Sequence, residues 1–390
     1  MVTETVRTSW FSRLKSGLVG LLVGPLLLVA MVWLLSWNEG RSVAVYRALA
    51  EGASLVTDVG AEAVDPANEG RLVHVSGRVT PGSVPADPMF GVGAEGAVGL
   101  SRHVEMFQWV EDSRSETRTT LGGGEETVTT YSYRRDWRSG AVDSSGFRQA
   151  GHDNPAFPVE SARFTVPRAA VGAFSVDGAV LAAEAAPQPA TLPGDIEARG
   201  RALFGGRQAI RDAGTLVIAS RSLASPAIGD LRIGFTRLDI AEASLVGAQQ
   251  GDAITAYRAS NGRALLLAEN GRVPAEAMFA TARAENRLVT WLVRLGGVFG
   301  LFLAFAMALS ILGIAADVVP FLGGIVRFGT SVLALVLALV VGGVVIALAW
   351  IAYRPLLALG ILAAALAAAA LVAALRRRKA APAPVTFGRP

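Results

Sequence analysis

The chain reads as an α+β membrane protein in which one N-terminal and three C-terminal transmembrane helices flank a large inserted, β-rich α+β domain. Apolar runs of membrane length occupy 17–37, 295–315, 328–350 and 356–375, and none contains Lys, Arg, Asp or Glu. Roughly 250 residues of mixed polarity separate the first run from the second, enough to bury a core of their own. Short alternating segments bounded by Gly, Asn and Pro fill that interval, which is the pattern of strands.

Each run matches a hydrocarbon core about 30 Å thick, which takes roughly 20 apolar residues in a helix. Backbone polar groups find no partner in lipid except one another, so these runs are helical. Arg7, Arg13 and Lys15 before Gly17–Trp37 resemble the basic start of a signal peptide. The run is too long for that role, and Trp37-Asn38-Glu39-Gly40-Arg41 offers no small-residue cleavage pattern, so it reads as an uncleaved anchor with Trp33 and Trp37 near the far interface.

Basic flanks at Arg7, Arg13 and Lys15 and at Arg376-Arg377-Arg378-Lys379 place both termini in the cytoplasm. The expected organisation is then a cytoplasmic 1–16, span 17–37, an extracytoplasmic or lumenal 38–290, spans two to four within 291–375, and a basic cytoplasmic tail 376–390. The loop 317–327 returns to the cytoplasm and Tyr353-Arg354-Pro355 makes an outer turn. Trp37, Glu39, Arg41, Asp317, Arg327 and Arg354 are the candidate membrane-junction residues; Asp317 and Arg327 either pair or stand as separate solvated charges. With no ionisable group at the centre of a span, an ion or proton pathway is disfavoured.

The sequence contains no cysteine, which excludes disulfides, thiol catalysis and cysteine metal sites. The formal net charge of +4 is partly terminal, where it suits an anionic leaflet, and nucleic acid is not needed to explain it.

Inside the domain, 42–56 reads as a helix, Leu72–Val79 and Leu231–Phe235 as strands, and His103–Glu111 with Glu126–Trp137 as a long hairpin around Leu121-Gly122-Gly123-Gly124. Asn261-Gly262 between 254–257 and 264–267 signals a tight hairpin. Ala185–Pro189 looks like a linker, 195–210 a surface helix, and the domain has a possible subdivision near 185–195. From Pro274 a helix continues into span two over about 40 residues, roughly 60 Å.

Candidate chemistry is sparse. Gly122-Gly123-Gly124 lacks the Lys-Ser/Thr and the strand-to-helix setting of a phosphate loop and fits a hairpin turn better. His74, His103 and His152 have no second ligand at metal-binding spacing. His152-Asp153 offers a base beside an acid, yet adjacent residues rarely face each other, and a turn role is favoured. No Gly-x-Ser-x-Gly elbow occurs. The reading is therefore a non-enzyme, with no catalytic, cofactor-binding or metal residue. Phe107, Trp109, Tyr131, Tyr133 and Trp137 alternate on the hairpin and share faces, either as core or as a partner or lipid surface. Gly20-x-x-x-Gly24 and Gly296-x-x-x-Gly300 are candidate helix-packing sites, within one chain or between copies.

Several strings together resemble the transmembrane protein 43 family, also called LUMA. They are Trp37–Arg41, Val104–Trp109, Thr129–Tyr133, Gly151-His152-Asp153-Asn154-Pro155, Glu276–Asn286, Asp317-x-x-Pro320 and Tyr353-Arg354-Pro355-Leu356. The resemblance covers nearly the whole chain. It implies four spans and a lumenal or periplasmic domain, residence in the endoplasmic reticulum and inner nuclear membrane in animals, self-association, and envelope organisation through emerin and lamins. It supplies no catalytic residues. The function expected is a membrane or envelope organiser or scaffold. The partners expected are the lipid bilayer, further copies of the chain and other membrane proteins, with no nucleic acid. The alternative is a lipid- or small-molecule-binding sensor.

Overall fold

The computed structural model describes residues 2–220 and 225–353, so the expected fourth span, Arg354 and the basic tail lie outside the described residues. By contacts the chain forms two units. A helical unit holds 9–46, 121–123 and the chain from 286 onward, and a β-rich unit holds 1–8, 47–120 and 124–285.

The described helices are α1 (Trp10–Leu55), α2 (Gly178–Glu184), α3 (Ile196–Leu203), α4 (Ala275–Ala316) and α5 (Pro320–Tyr353). Of these, α1, α4 and α5 are long and apolar enough to cross a membrane. The first span and the helix expected at 42–56 are one helix of 46 residues, about 69 Å at 1.5 Å per residue. Gly40 does not stop it, because its missing side chain serves packing: a Cβ there would lie 2.8 Å from the Tyr353 ring. α4 runs from the surface into span two without a break, as its pattern predicted. α5 begins at Pro320, which suits a first helical position, and this shortens the expected loop 317–327 to 317–319.

Lipid gives no hydrophobic drive for helix association, so close packing at small residues does that work. A Cβ on Gly20 would lie 2.9 Å from the Met307 carbonyl, and one on Gly24 would lie 2.7 Å from that of Ala304. Both glycines thus seat α1 against α4 within the chain. Gly300 abuts Met31 and Gly297 abuts Leu35, while Gly296 has no neighbour within 4 Å among the described residues. In the second pair, then, Gly297 takes the packing place that the spacing assigned to Gly296. Leu35, Leu301 and Ala338 form the fully buried centre of the three helices.

The β-rich unit contains two large sheets. In the eight-stranded one the order is Val2–Thr8, Glu125–Arg138, Gly99–Thr119, Leu231–Asp239, Thr215–Ala219, Gln208–Asp212, with Ala162–Thr165 and Ala186–Pro189 on its flanks. In the second sheet Glu242–Gln250, Ala253–Thr255, Phe174–Asp177, Arg168–Val171 and Leu72–Pro81 pair in a ring that closes on itself. One core, with Phe90, Met106, Leu216 and Ile233, belongs to the first sheet; the other, with Val73, Phe174, Leu181 and Leu245, fills the ring. The sheets draw on the sequence alternately, so no break near 185–195 separates them.

Several elements differ from expectation. The supposed linker is a strand: Ala186–Pro189 pairs antiparallel with Thr236–Asp239, at a flank where the two prolines, which cannot donate, are tolerated. The helix expected over 195–210 ends at Leu203, because Gly205 and Gly206 turn the chain with positive φ. The Asn261-Gly262 hairpin exists, but only two pairs form, Tyr257 with Leu265 and Arg258 with Ala264. Its five-residue loop is braced by the Asn261 side chain, which accepts from the Arg263 amide at 3.1 Å. The N-terminal segment, expected only as a basic flank, forms a strand on Glu125–Tyr131; its Val-Thr alternation carried that signal.

A Gly24→Val chain should be less stable in detergent by about 1–3 kcal/mol from overpacking, read as a lowered Tm, whereas Gly296→Val should leave the Tm unchanged.

Candidate functional site

The helical unit concentrates its polar chemistry at its two ends. At one end, α4 presents Asn286, Thr290 and Arg294 at successive i, i+4 positions, so the three stack on one helix face. They meet Asn38, Glu39, Arg41 and Ser42 of α1. Arg294 binds Glu39 through both forks, Nε to Oε1 at 2.7 Å and Nη2 to Oε2 at 2.8 Å, and the Trp350 indole donates to Glu39 Oε2 at 3.0 Å. The Arg294 guanidinium also lies over the rings of Trp291 and Trp350. Below it, Asn38 donates to the Thr290 carbonyl at 3.2 Å, Asn286 donates to the Ser42 carbonyl at 3.1 Å, and Arg41 donates to Asn286, Asn38 and Thr290 side chains, each at 3.3 Å. Glu39 is 2% exposed. A carboxylate so buried is tolerable only because two guanidinium donors and an indole satisfy it.

At the other end the buried anion is Asp317, in the α4–α5 turn. Arg13 Nη2 lies 2.5 Å and Arg327 Nη1 2.8 Å from the same oxygen, Oδ2. Asp317 is fully buried and its Oδ1 has no hydrogen-bond donor among the described residues. That oxygen faces Gly323, where a Cβ would collide with it, so the turn accepts no side chain at that position. Arg13 also donates to the Gly123 carbonyl at 2.6 Å, and the Trp10 indole to the Ile314 carbonyl at 2.8 Å.

Of the junction residues read from sequence, Glu39 and Arg41 thus fall in one cluster and Asp317 and Arg327 in the other, the last two as a pair. Trp37 lies outside both, stacked on Trp33 with centroids 6.3 Å apart and half-exposed; Arg354 lies outside the described residues. Sequence reading missed Arg13 as a buried partner, together with Trp10, Asn38, Asn286, Thr290, Arg294 and Trp350. The i, i+4 run of Asn286, Thr290 and Arg294 was the usable signal.

The aromatic residues of the long hairpin are partly buried, and the segment 139–154 that follows it packs on Trp109, Tyr131 and Tyr133. Phe107 packs on Trp137 across the strands. His152 inserts between Trp109 and Tyr133, at centroid distances of 4.5 and 4.1 Å. Asn154 holds the loop by bonding both the amide and the carbonyl of Trp109. Burial first, and then the Glu111 carboxylate at 2.5 Å, raise the Tyr133 hydroxyl above the usual phenol range. Tyr131 reaches Glu4 and Arg148. His152 therefore acts as a ring in a stack, with its Nδ1 3.3 Å from the Gln149 carbonyl rather than on Asp153.

A second constellation was not foreseen. His74 Nδ1 lies 2.5 Å from Asp58, and its Nε2 lies 3.3 Å from the Ser76 hydroxyl, an acid–base–hydroxyl order. The same Nε2 is closer to the Val273 carbonyl, at 2.9 Å, to which it must donate. A nitrogen engaged as a donor cannot take the Ser76 proton, so the arrangement is structural.

The clefts of the β-rich unit include two whose described linings contain no histidine. One, of about 350 Å³, is lined by Met106, Pro155, Phe204 and Ile228 with Arg207 at its wall. The other, of about 370 Å³, brings Glu184, Glu269 and Glu285 around Leu266 and Met278. Burial first, then the charges of Glu285 and Glu269, raise the Glu184 carboxyl above its ordinary range.

Comparison with known proteins gives a single family. The sequence profile described as transmembrane protein 43 matches residues 106–355. Transmembrane protein 43 of Homo sapiens is 31% identical over 371 residues, spanning 92% of this chain and 90% of its own length. The protein of that name from Rattus norvegicus is 31% identical over 368 residues, 91% and 90% of the two chains. The chain belongs to the transmembrane protein 43 family. A Drosophila melanogaster homolog is 29% identical over 371 residues, 91% of this chain and 92% of the homolog. No solved structure matches. For a transmembrane protein 43 family member the described geometry puts the family-like strings to work: Trp37–Arg41 and Glu276–Asn286 bring residues to the Glu39 cluster, and Asp317-x-x-Pro320 builds the other.

Removing Asp317 leaves buried Arg13 without its carboxylate, so Asp317→Asn should lower stability in detergent by about 3–5 kcal/mol; an Arg13→Met, Asp317→Leu double variant should recover much of the Tm. For Glu184, a carboxyl with a higher pKa folded than unfolded holds its proton more tightly in the native state. Stability therefore falls as pH rises from the unfolded value of about 4.3. Glu184→Gln should raise the Tm at pH 7, with the gain vanishing toward pH 4.

Proposed function

We propose that this transmembrane protein 43 family member is a non-enzymatic organiser or scaffold of its membrane or envelope that acts by self-association. The observation that carries the reading is how the helical unit uses its residues. The polar groups at both ends are engaged in internal clamps, and Gly20, Gly24, Gly297 and Gly300 are occupied by neighbouring helices. Gly296 on α4 and Gly324, Gly329 and Gly343 on α5 have no neighbour within 4 Å among the described residues. Such positions let the backbone of another helix approach closely. The N terminus is proposed to be cytoplasmic, supported by its basic flank. The fourth span at 356–375 is part of the same proposal.

A second reading, a lipid- or small-molecule-binding sensor, is favoured by the cleft of about 350 Å³ beside Arg207, a volume within the usual range for small ligands.

Full-length protein in nanodiscs or mild detergent should give discrete oligomers by mass photometry, and Gly329→Leu should shift them toward monomer without lowering the Tm. A strictly monomeric particle at high protein density would remove the organiser reading. Native mass spectrometry showing a retained lipid or metabolite, lost on Phe204→Asp, would move the weight to the sensor.

A further inference from the structure

The contacts of His74 fix where its protons stand. Ser244 Oγ donates to the Gly271 carbonyl at 2.8 Å and accepts from the Val273 amide at 2.8 Å. Its one hydrogen is thereby used, so in the 2.7 Å contact between Ser76 and Ser244 the donor is Ser76. Ser76 then offers His74 Nε2 only a lone pair, as the Val273 carbonyl does. Nε2 is therefore an N–H. On the other side of the ring, Nδ1 faces the Asp58 carboxylate at 2.5 Å. A neutral imidazole has a single N–H and cannot serve both sides. The contact with Asp58 thus forms only when the pair holds one further proton, as imidazolium against carboxylate.

These partners lie in the β-rich unit, at the segments that lead out of one long helix and into another. α1 ends at Leu55, and Thr57–Val59 follows as a strand paired in parallel with Val73–Val75, Asp58 opposite His74. Val273 precedes Pro274 and the start of α4 at Ala275. The His74 side chain is buried, whereas that of Asp58 is 81% exposed. When the shared proton is lost, the buried ring stays anchored through Nε2 and the carboxylate has water to turn to. Among the described residues, Asp58 is the one charged group within ion-pair distance of the ring. Across the sheet the ring faces Val246 of Glu242–Gln250. Further along the same face Arg78 stands opposite Glu242, which pairs with Arg272 at 2.9 Å, and Glu276 lies in the first turn of α4.

We propose that His74 and Asp58 form a proton-operated clasp on the strand that follows α1. With the proton present the clasp fastens Thr57–Val59 to the sheet. Without it the strand is held by its backbone pairs and by Val59, which packs on the second core. Histidine is the side chain whose charge changes between about pH 5 and 8, so the clasp closes on the acid side of neutrality and opens on the alkaline side.

Hydrogen–deuterium exchange of the full-length protein in nanodiscs, corrected for the intrinsic pH dependence of exchange, reads the strand directly. Protection of peptides covering 57–59 should fall about threefold from about pH 5.5 to about pH 8, the size of an ion pair with one exposed partner. Asp58→Asn should abolish this response and keep the acid-side protection, because an amide can turn either its oxygen or its N–H group to the ring. Asp58→Ala should also be flat, but at the alkaline-side level. Asp58 is exposed, so neither change disturbs packing. The response should persist in a His103→Gln, His152→Gln chain. Equal protection of the unsubstituted protein at the two pH values overturns the proposal, as does a response that survives in Asp58→Asn or disappears in the His103→Gln, His152→Gln chain. The readout is local to 57–59 and does not depend on oligomeric state, so failure here leaves the organiser reading standing.

Discussion

A buried charge cannot be drawn into hydrocarbon without large cost, and the helical unit is organised around that constraint. It carries one buried carboxylate at each end, Glu39 and Asp317, each paired with arginine. Twenty-six residues separate Arg13 from Glu39 on α1, and twenty-three separate Arg294 from Asp317 and Arg327 from Trp350. At 1.5 Å per residue these are about 39 and 35 Å, longer than the hydrocarbon core and within the thickness of a bilayer with its headgroups. The spacing fits polar partners in two interfacial zones, and apart from Lys15 no Lys, Arg, Asp or Glu lies between the partners on any of the three helices. Depth and tilt follow from the clamps, because sliding any helix inward would bring a paired charge with it.

Much of this was readable in the sequence, and what was not has identifiable reasons. The spans were legible because an uninterrupted apolar run of membrane length has no other good explanation. The long hairpin was legible from alternation, and the unbroken α4 from Pro274 and the absence of any later breaker. The continuity of α1 was not, since Asn38, Glu39 and Gly40 read locally as an exit; the contacts of Glu39 with Arg294 and of Gly40 with Tyr353 turn that exit into a packed surface. Ala186–Pro189 was misread because two prolines suggest a linker, whereas a flanking strand needs donors on only one side. Asp317 and Arg327 were visible as charges at an edge, but their third partner, Arg13, lies 304 residues from Asp317 in the chain, and no local pattern reports such a contact.

The same contrast applies to the chemistry of the β-rich unit. The residue types that invite a catalytic reading are present, and their geometry assigns them elsewhere. His152 is a stacking ring between Trp109 and Tyr133. His74 meets an acid and a hydroxyl, yet the Val273 carbonyl occupies the nitrogen a base would use. Asp230 is buried and accepts from Ser220, Ala227 and Arg207, which fixes the turn entering the strand at Leu231. In each case the polar group is engaged in holding a loop to a sheet.

Buried ion pairs are weak sources of net stability, because desolvation offsets most of the attraction, while loss of one partner is costly. That asymmetry explains what the two clamps contribute. Three helices faced with Leu, Val, Ala and Gly can shift by a turn against one another and still bury similar surfaces. Leu35 against Gly297 and Met31 against Gly300 have close substitutes one turn away. A shift of α1 by one turn against α4, about 5.4 Å, would instead separate Arg294 from Glu39 and Arg13 from Asp317 at once, breaking an ion pair at each end. The register that apolar packing defines only loosely is thus made unique by a small number of charges whose mispairing the bilayer does not tolerate. Gly323 belongs to the same device: without a side chain, it lets Asp317 stay inside the turn where both arginines reach it.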